Sequence, residues 1–381
     1  MQTHKTSEAI LHDAARARQR GDIDGAISIL QKATTTHPAD DEIWLALAFC
    51  HQAKADQSGM STALKGALKA NPKNVTALIF SGILNERQGR FARAIKDYSA
   101  ALTHRPTIPA SDTGLLGKLE QAEQRIPALT KLLERQASHE LSRLGFEPGQ
   151  SDKRFEMALD IMFGRKQVFY QEPHQFYYPE LPQRQFYAPE EFPWMEDLRT
   201  NWEAIRDEAR AVMQKEELFS PYLKSNPSEL VMNQVELVDN PDWSAFYLIQ
   251  DSVPQDDNIA LCPHTMQALE NAPLDHIPGR TPSVLFSLLK PNTHIPPHTG
   301  MLNTRLICHL PLIIPENCGF RVGNEEIEWV EGEPFAFDDS INHEAWNRSD
   351  KDRIILLFEI WRPELDERER MLISKLIELS G

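Results

Sequence analysis

Three residues in the last quarter of the chain have types and spacing suited to chemistry. His298 precedes the apolar run TRLICHLPLII, His343 lies 45 residues later in FDDSINHEAWN, and Arg353 follows ten residues after that, opening RIILLFEIW. Neutral imidazoles are good ligands for divalent iron, and a site built on them keeps positions open for a chelating cosubstrate and oxygen. A keto acid bound there would need a cation for its far carboxylate. Arginine suits that role through its planar fork and permanent charge. A His-x-Asp motif commonly opens such a site, with the aspartate as a further ligand, but here the motif is His298-Thr299-Gly300. The site is therefore broken, unusual or absent. A lone histidine is more often structural than a ligand, whereas two histidines and an arginine in this order are much less easily reached by chance.

The elements around these residues read as strands. After Pro282 come the short β-runs SVLFSLL, TRLICHLPLII, GFRV, EIEWV, PFAF, HEAW and RIILLFEIW, with KPNTH, PENCG, GNEE, EGE and NRSDKD as breaks. This number and spacing predict a sandwich or barrel, and a double-stranded jelly roll fits. There, histidines on different strands can meet inside the mouth. Asp338 and Asp339, just before the His343 strand, read as turn-formers, with a supporting bond to an iron histidine as the alternative. The last stretch, PELDERERMLISKLIELSG, predicts an amphipathic helix over the sheet or an interface. Upstream, QVFYQEPHQFYYPELPQRQFYAPEEFPW is too rich in proline for helix or central strand. It reads as a segment laid over the core with its rings as anchors rather than as a proline-rich ligand. A helix over MEDLRTNWEAIRDEARAVMQK follows.

The first third is periodic. Pro38, Pro72 and Pro106 keep a step of 34, as do Ala33, Ala67 and Ala101, and Gly21 and Gly89 stand two steps apart with Ala55 between them. Small residues let two helices approach, glycine serves a turn and proline ends the second helix. The pattern, over roughly residues 5–106, resembles the tetratricopeptide repeat. Such repeats stack into a superhelix that commonly holds a peptide or partner, or serves as a spacer. Residues 114–145 predict a capping helix.

Bulk properties narrow the classes. The 381 residues are 41% hydrophobic and 25% charged, enough for a real core, with a formal charge of −16. That balance disfavours a sequence-independent grip on nucleic acid and binding to an anionic membrane surface. There is no secretory signal and no apolar stretch long enough to span a bilayer. Cys50, Cys262, Cys308 and Cys318 are scattered and read as reduced thiols. The expectation is a cytoplasmic protein without stable membrane insertion.

At HTGMLNTRLICHLPL, FDDSINHEAWN and RIILLFEIWRPEL, together with FYYPELP and DWSAFYL, the chain resembles the aspartyl/asparaginyl β-hydroxylase family of Fe(II)/2-oxoglutarate dioxygenases, over about residues 165–365. The resemblance implies an iron held by two histidines with glycine in place of the usual acid, so Gly300 is expected. It implies His298 and His343 as metal ligands, and Arg353 with Ser287 on the far carboxylate of 2-oxoglutarate. It further implies His309 and Trp243 against the cosubstrate, and Arg305 near the substrate. One position departs: the family pattern R-L-R-M-H has a second arginine where this chain has Ile307, which puts the substrate in question more than the iron chemistry. The implied architecture is a multidomain α plus β chain. A tetratricopeptide superhelix (1–112) and a capping helix (113–150) precede a double-stranded β-helix, or jelly-roll, catalytic domain (151–381) with flanking helices. The implied activity is hydroxylation of the β-carbon of Asp or Asn in a peptide or protein held by the repeats, consuming 2-oxoglutarate and O2. The alternatives are the same chemistry on a lipid acyl chain or small molecule, and a non-catalytic repeat adaptor.

Overall fold

The computed structural model describes residues 6–150, 152–225 and 235–380. The chain divides into two compact units, 1–165 and 166–381.

The first unit is helical. Three helix pairs come first: α1 (Ser7–Gln19) with α2 (Ile23–Thr36), α3 (Asp41–Ala53) with α4 (Gln57–Ala70), and α5 (Val75–Arg87) with α6 (Phe91–Thr103). The long α7 (Thr113–Arg143) and α8 (Lys153–Met162) follow. The alanines at the repeat step are all buried: Ala33, Ala67 and Ala101 expose at most 4% of their surface. Each pair turns on the same backbone device. Gly21, Ala55 and Gly89 follow the caps of α1, α3 and α5 with φ of 81°, 55° and 69°. This is the left-handed conformation that ends helices and that glycine adopts without a Cβ penalty. Ala55 meets the same demand with a side chain. The unit extends beyond the boundary expected at residue 150 to take in α8. Arg165, which follows α8, donates to Glu134 on α7 and Asp160 on α8, both at 2.8 Å, and Phe155 packs edge-on to Phe146 at 5.1 Å.

The second unit carries two antiparallel sheets. The larger runs β1 (Phe186–Tyr187), β10 (Phe335–Phe337), β7 (Arg305–Ile313), β12 (Arg353–Trp361), β5 (Val284–Leu289), β3 (Trp243–Gln250) and β2 (Ser220–Pro221), with β4 (Val253–Pro254) also on β3. The smaller runs β6 (Thr293–His298), β11 (His343–Asn347), β8 (Cys318–Val322) and β9 (Glu325–Ile327). Alternation sorts the large sheet. Leu306, Cys308 and Leu310 of β7 face a core shared with α9 (Met195–Met213). Ile307 of β7, with Leu285, Leu289, Ile355 and Leu357, faces a second core that also takes Ile295, Phe320, Val322 and Ala345 from the small sheet. This is the expected jelly-roll arrangement, with the small helices α10 (Asp256–Ile259) and α11 (Pro263–Ala268) between strands. The final helix, α12 (Glu367–Ser380), packs Ile373 and Ile377 against Ile277, Leu302 and Trp361.

The proline-rich segment does lie over this core. Gln171 bridges to Ile341 and Phe176 to Leu302, and Tyr187 is buried, though Tyr170 and Tyr177 remain more than half exposed. Of the strands, β6 (THIPPH) departs most from the expected pattern, because Pro296 and Pro297 count against a strand. It forms at the edge of its sheet, where a residue without an N–H removes no ladder bond.

The left-handed Ala55 gives a test. Ala55→Gly removes the Cβ penalty and adds backbone freedom to the unfolded chain, for a net stabilisation of about 0.5–1 kcal/mol. Urea unfolding should show a higher midpoint, and a lower one would refute the reading of this turn.

Candidate functional site

The histidine pair depends on strand register. His343 begins β11 directly opposite His298, the last residue of β6, and their ring centroids lie 4.1 Å apart. Ala345 of β11 pairs with Ile295, so Glu344 alone spans Pro296 and Pro297. This bulge has a consequence for direction. Ile295 and His298 are three residues apart and would face opposite sides of a regular strand. The extra residue turns both inward.

Each imidazole is then fixed in one tautomer. His298 Nδ1 lies 2.8 Å from the Pro296 carbonyl and His343 Nδ1 lies 3.0 Å from the Ile341 carbonyl. A carbonyl only accepts, so the proton sits on Nδ1 and the Nε2 lone pair is free, the arrangement found in metal-ligating histidines. Burial, and then the neighbouring His343, pushes His298 down to about 3. Burial pushes His343 down to about 4. Both rings are neutral and ready to donate.

Among the described residues no group of three or more His, Cys, Asp or Glu side chains could hold a metal, so the donor set is two imidazoles. Gly300 shows why. A Cβ there would stand 1.9 Å from Asp339 Oδ2, so the Asp339 carboxylate fills the space a side chain at 300 would need. Gly300 N donates to the Asp339 carbonyl at 2.7 Å. Asp339 is held in turn by Arg305 Nη2 at 3.2 Å, and Arg305 also pairs with Glu359. Arg305 is 4% exposed, so the residue expected near the substrate is committed to two carboxylates in the wall of the site. Asp338 has a different role. It is fully buried, accepts from Gln171 Nε2 at 2.7 Å and pairs with Arg362 at 2.8 Å, while Ser340 N donates to it at 3.1 Å. It forms the turn and also clamps the loop to β12 and the overlying segment.

Deeper between the sheets, Arg353 exposes 1% of its surface and has its guanidinium carbon 4.5 Å from the Trp329 ring centre. Among the described residues its Nε and Nη1 have no hydrogen-bond partner, and burial pushes it down to about 9. A buried cation without an anion is costly unless a ligand supplies one. Two more buried nitrogens, His309 Nδ1 and Trp329 Nε1, also have no partner among the described residues, with the His309 and Trp329 rings 6.1 Å apart. Trp243 stacks on Tyr222 at 4.2 Å and donates through Nε1 to Ser287 Oγ at 3.2 Å. Phe320 and Phe337 connect the two halves, since each packs on both His309 and His343. The structure thus brings His298 and His343 together, places His309 beside Arg353 through Trp329, and joins Ser287 to Trp243. Trp329 and Glu359 were not singled out in the sequence, and Asp339 was read there as a turn-former rather than as the partner of Arg305. A lone acid inside RIILLFEIW was the available signal for Glu359.

Two neutral imidazoles with free Nε2 atoms suit a divalent iron ion, and a buried unpaired guanidinium beside unpartnered N–H groups suits a carboxylate ligand.

A jelly roll with inward histidines on its small sheet and a helical repeat unit ahead of it defines a two-part architecture. Residues 199–363 match the family model for aspartyl/asparaginyl beta-hydroxylases and residues 61–109 match that for the tetratricopeptide repeat. The chain is thus similar over residues 199–363 to the aspartyl/asparaginyl beta-hydroxylase family, and over residues 61–109 to the tetratricopeptide repeat. It is 28% identical over 353 residues to the aspartyl/asparaginyl beta-hydroxylase of Homo sapiens, covering 92% of this chain and 42% of that protein. It is 31% identical over 189 residues to the ornithine lipid ester-linked acyl 2-hydroxylase of Rhizobium tropici, covering 49% of this chain and 63% of that protein. The chain thus spans less than half the length of the human relative. The repeat unit aligns with the Arabidopsis OM64 TPR domain at 19% identity, covering 32% of this chain and 94% of that one, with a TM-score of 0.28. Among the described residues no helix is long and apolar enough to cross a membrane.

The packing at Gly300 is testable. Gly300→Ala forces Asp339 off its Arg305 partner and should cost about 1–3 kcal/mol of stability. In an Asp339→Ala background the same substitution should cost close to nothing. Equal costs in the two backgrounds, read by thermal unfolding, would show that Asp339 does not occupy that space.

Proposed function

We propose that this chain is an Fe(II)- and 2-oxoglutarate-dependent hydroxylase acting on the β-carbon of Asp or Asn in a polypeptide. The observation that carries this reading is the opposed pair His298 and His343, both held with Nε2 free, in one domain with a buried Arg353 whose Nε and Nη1 have no partner among the described residues.

His298 and His343 would hold the iron. Arg353 would take the far carboxylate of 2-oxoglutarate, with Ser287 beside it and Trp243 orienting Ser287 through its indole N–H. His309 would donate to the same ligand once its neutral ring turns a proton toward it. Iron and 2-oxoglutarate supply the oxidising power, with O2 consumed and succinate and CO2 released. The protein contributes placement and exclusion of water. Phe320, Phe337 and Trp329 wall the ligand in apolar surface, which strengthens the pull of Arg353 on a carboxylate by lowering the local dielectric. Asp339, pinned by Arg305 and pressed against Gly300, sets a fixed negative charge beside the histidines without joining them as a ligand.

A second reading has its own observation. Ile307 is apolar and buried in the inner core, and Arg305 is already neutralised by Glu359 and Asp339. A substrate carboxylate would have to displace one of those acids. A neutral substrate, an asparaginyl side chain or a lipid acyl chain, would not. An adaptor without catalysis has no use for an unpaired buried Arg353.

Succinate formation tests the reading. Protein supplied with Fe(II), ascorbate, 2-oxoglutarate and O2 should release succinate, and adding Asp- or Asn-containing peptides should raise the rate and give a +16 Da peptide. Stimulation by an acyl lipid instead would select the second reading. His298→Ala and His343→Ala should each abolish turnover. Arg353→Ala should raise the 2-oxoglutarate requirement about 10- to 100-fold, the value of a lost charge-assisted contact. Full activity in either histidine variant would remove the site.

A further inference from the structure

The inner face of β12 has two polar ends. Arg353 and Glu359 lie six residues apart, so their side chains leave the same side of the strand. Trp243 belongs to the Arg353 end, since both residues pair with Leu289. At the other end Glu359 holds Arg305, which also holds Asp339. Tyr222 connects the two. It follows β2 directly, and its N donates to the Trp243 carbonyl at 2.9 Å. Its ring lies on the Trp243 ring at 4.2 Å and 17°, while its hydroxyl feels the charges of Glu359, Arg305 and Asp339. The backbone beyond it is tied down as well, since Asp239 N donates to the Leu223 carbonyl at 2.8 Å and Ser225 N to Asp239 Oδ1 at 3.0 Å.

The Tyr222 hydroxyl has no hydrogen-bond partner among the described residues. Tyr178 and Tyr187 of the same unit do, donating to Glu369 and Glu364 at 2.9 and 2.8 Å, as a phenol in a packed site usually does. Burial first, then Tyr247 and Glu359, hold the Tyr222 hydroxyl well above the usual phenol range, so it keeps its proton and donates. The surrounding charge limits what it can meet. Arg305 is already shared by two carboxylates. A third acid, Asp275, is fully buried with its N on the Glu359 carbonyl at 3.4 Å, and neither of its oxygens has a partner among the described residues. Burial, and then Glu359, hold its carboxyl in the protonated form. A further carboxylate brought here would meet acids in excess of cations. A carboxamide carries no charge, and its carbonyl accepts from a phenol. An acyl chain would leave the phenol unpaired, at the cost of its desolvation.

We propose that Tyr222 is a specificity-determining residue of this site, its hydroxyl donating to the side-chain carbonyl of an asparaginyl substrate and so selecting Asn over Asp and over an acyl chain. The inference rests on the oxygenase reading given above and narrows its substrate. Trp243 serves both ends, since its indole N–H holds Ser287 and its ring face carries Tyr222.

The test gives the full chain, with Fe(II), 2-oxoglutarate and O2, two peptides that differ only in Asn or Asp at the target position. The parent should hydroxylate the Asn peptide with a kcat/KM about tenfold higher or more, because a second anion among these acids is repelled. Tyr222→Phe keeps the ring on Trp243 and removes only the oxygen. It should lower kcat/KM for the Asn peptide about three- to tenfold and shrink the preference for Asn accordingly. Without O2, calorimetry should show the Asn peptide binding the iron- and 2-oxoglutarate-loaded variant more weakly by a similar factor. The variant should melt no lower than the parent, since the lost hydroxyl holds nothing in the fold. A lower melting temperature with the Asn preference intact would make the hydroxyl structural and overturn the assignment. Equal use of Asn and Asp by the parent would also overturn it, and both results would leave the oxygenase reading standing. Hydroxylation of neither peptide would remove the polypeptide reading and this assignment with it.

Discussion

The pairing of β11 with β6 is the constraint on which the candidate site depends. An antiparallel ladder fixes which residues stand opposite, and here it sets His343 against His298. The bulge at Pro296 and Pro297 then decides the face. Without it, Ile295 or His298 would point to solvent, and either the inner core or the histidine pair would be lost. The same prolines lend a carbonyl to His298 Nδ1, so one local irregularity fixes position, direction and tautomer together.

Around the histidines, the second unit treats its buried arginines in two ways. Arg305 and Arg362 are each matched by acids, to Asp339 and Glu359 in one case and to Asp338 in the other. These pairs hold the loop before β11 to β7 and β12. Arg353 is as deeply buried, and no acid among the described residues pairs with it. A protein that carries such a guanidinium draws on the rest of its core to do so, and the cost would be recovered if an anion bound. The contrast between three arginines in one fold sets Arg353 apart from the scaffold more sharply than burial alone.

Much of this was legible in residue order. The 34-residue step fixed the helix pairs, and it even marked Ala55 as the odd member of the series with Gly21 and Gly89. The long runs around β5, β7 and β12 read as strands because both faces of the large sheet are covered and apolar residues run on without a break. Strand β6 was harder to see, since prolines argue against a strand unless its place at an edge is known, and edge placement is a tertiary fact. Asp339 was hidden for a related reason. Its neighbours in sequence suggest a turn, while its role comes from Gly300 and Arg305, which approach it only after the sheets close. Ile307 was visible as a departure, but the neutralisation of Arg305 that gives it weight was not.

The two prolines of β6 also bear on solubility. An edge strand with free N–H and C=O groups invites another chain to extend the sheet, which is a route to aggregation. Pro296 and Pro297 have no N–H to offer, and their bulge bends the strand out of register for a partner. The rim that carries His298 is therefore protected from strand addition by its own backbone. That rim needs no further element laid along it to escape extension by its own copies.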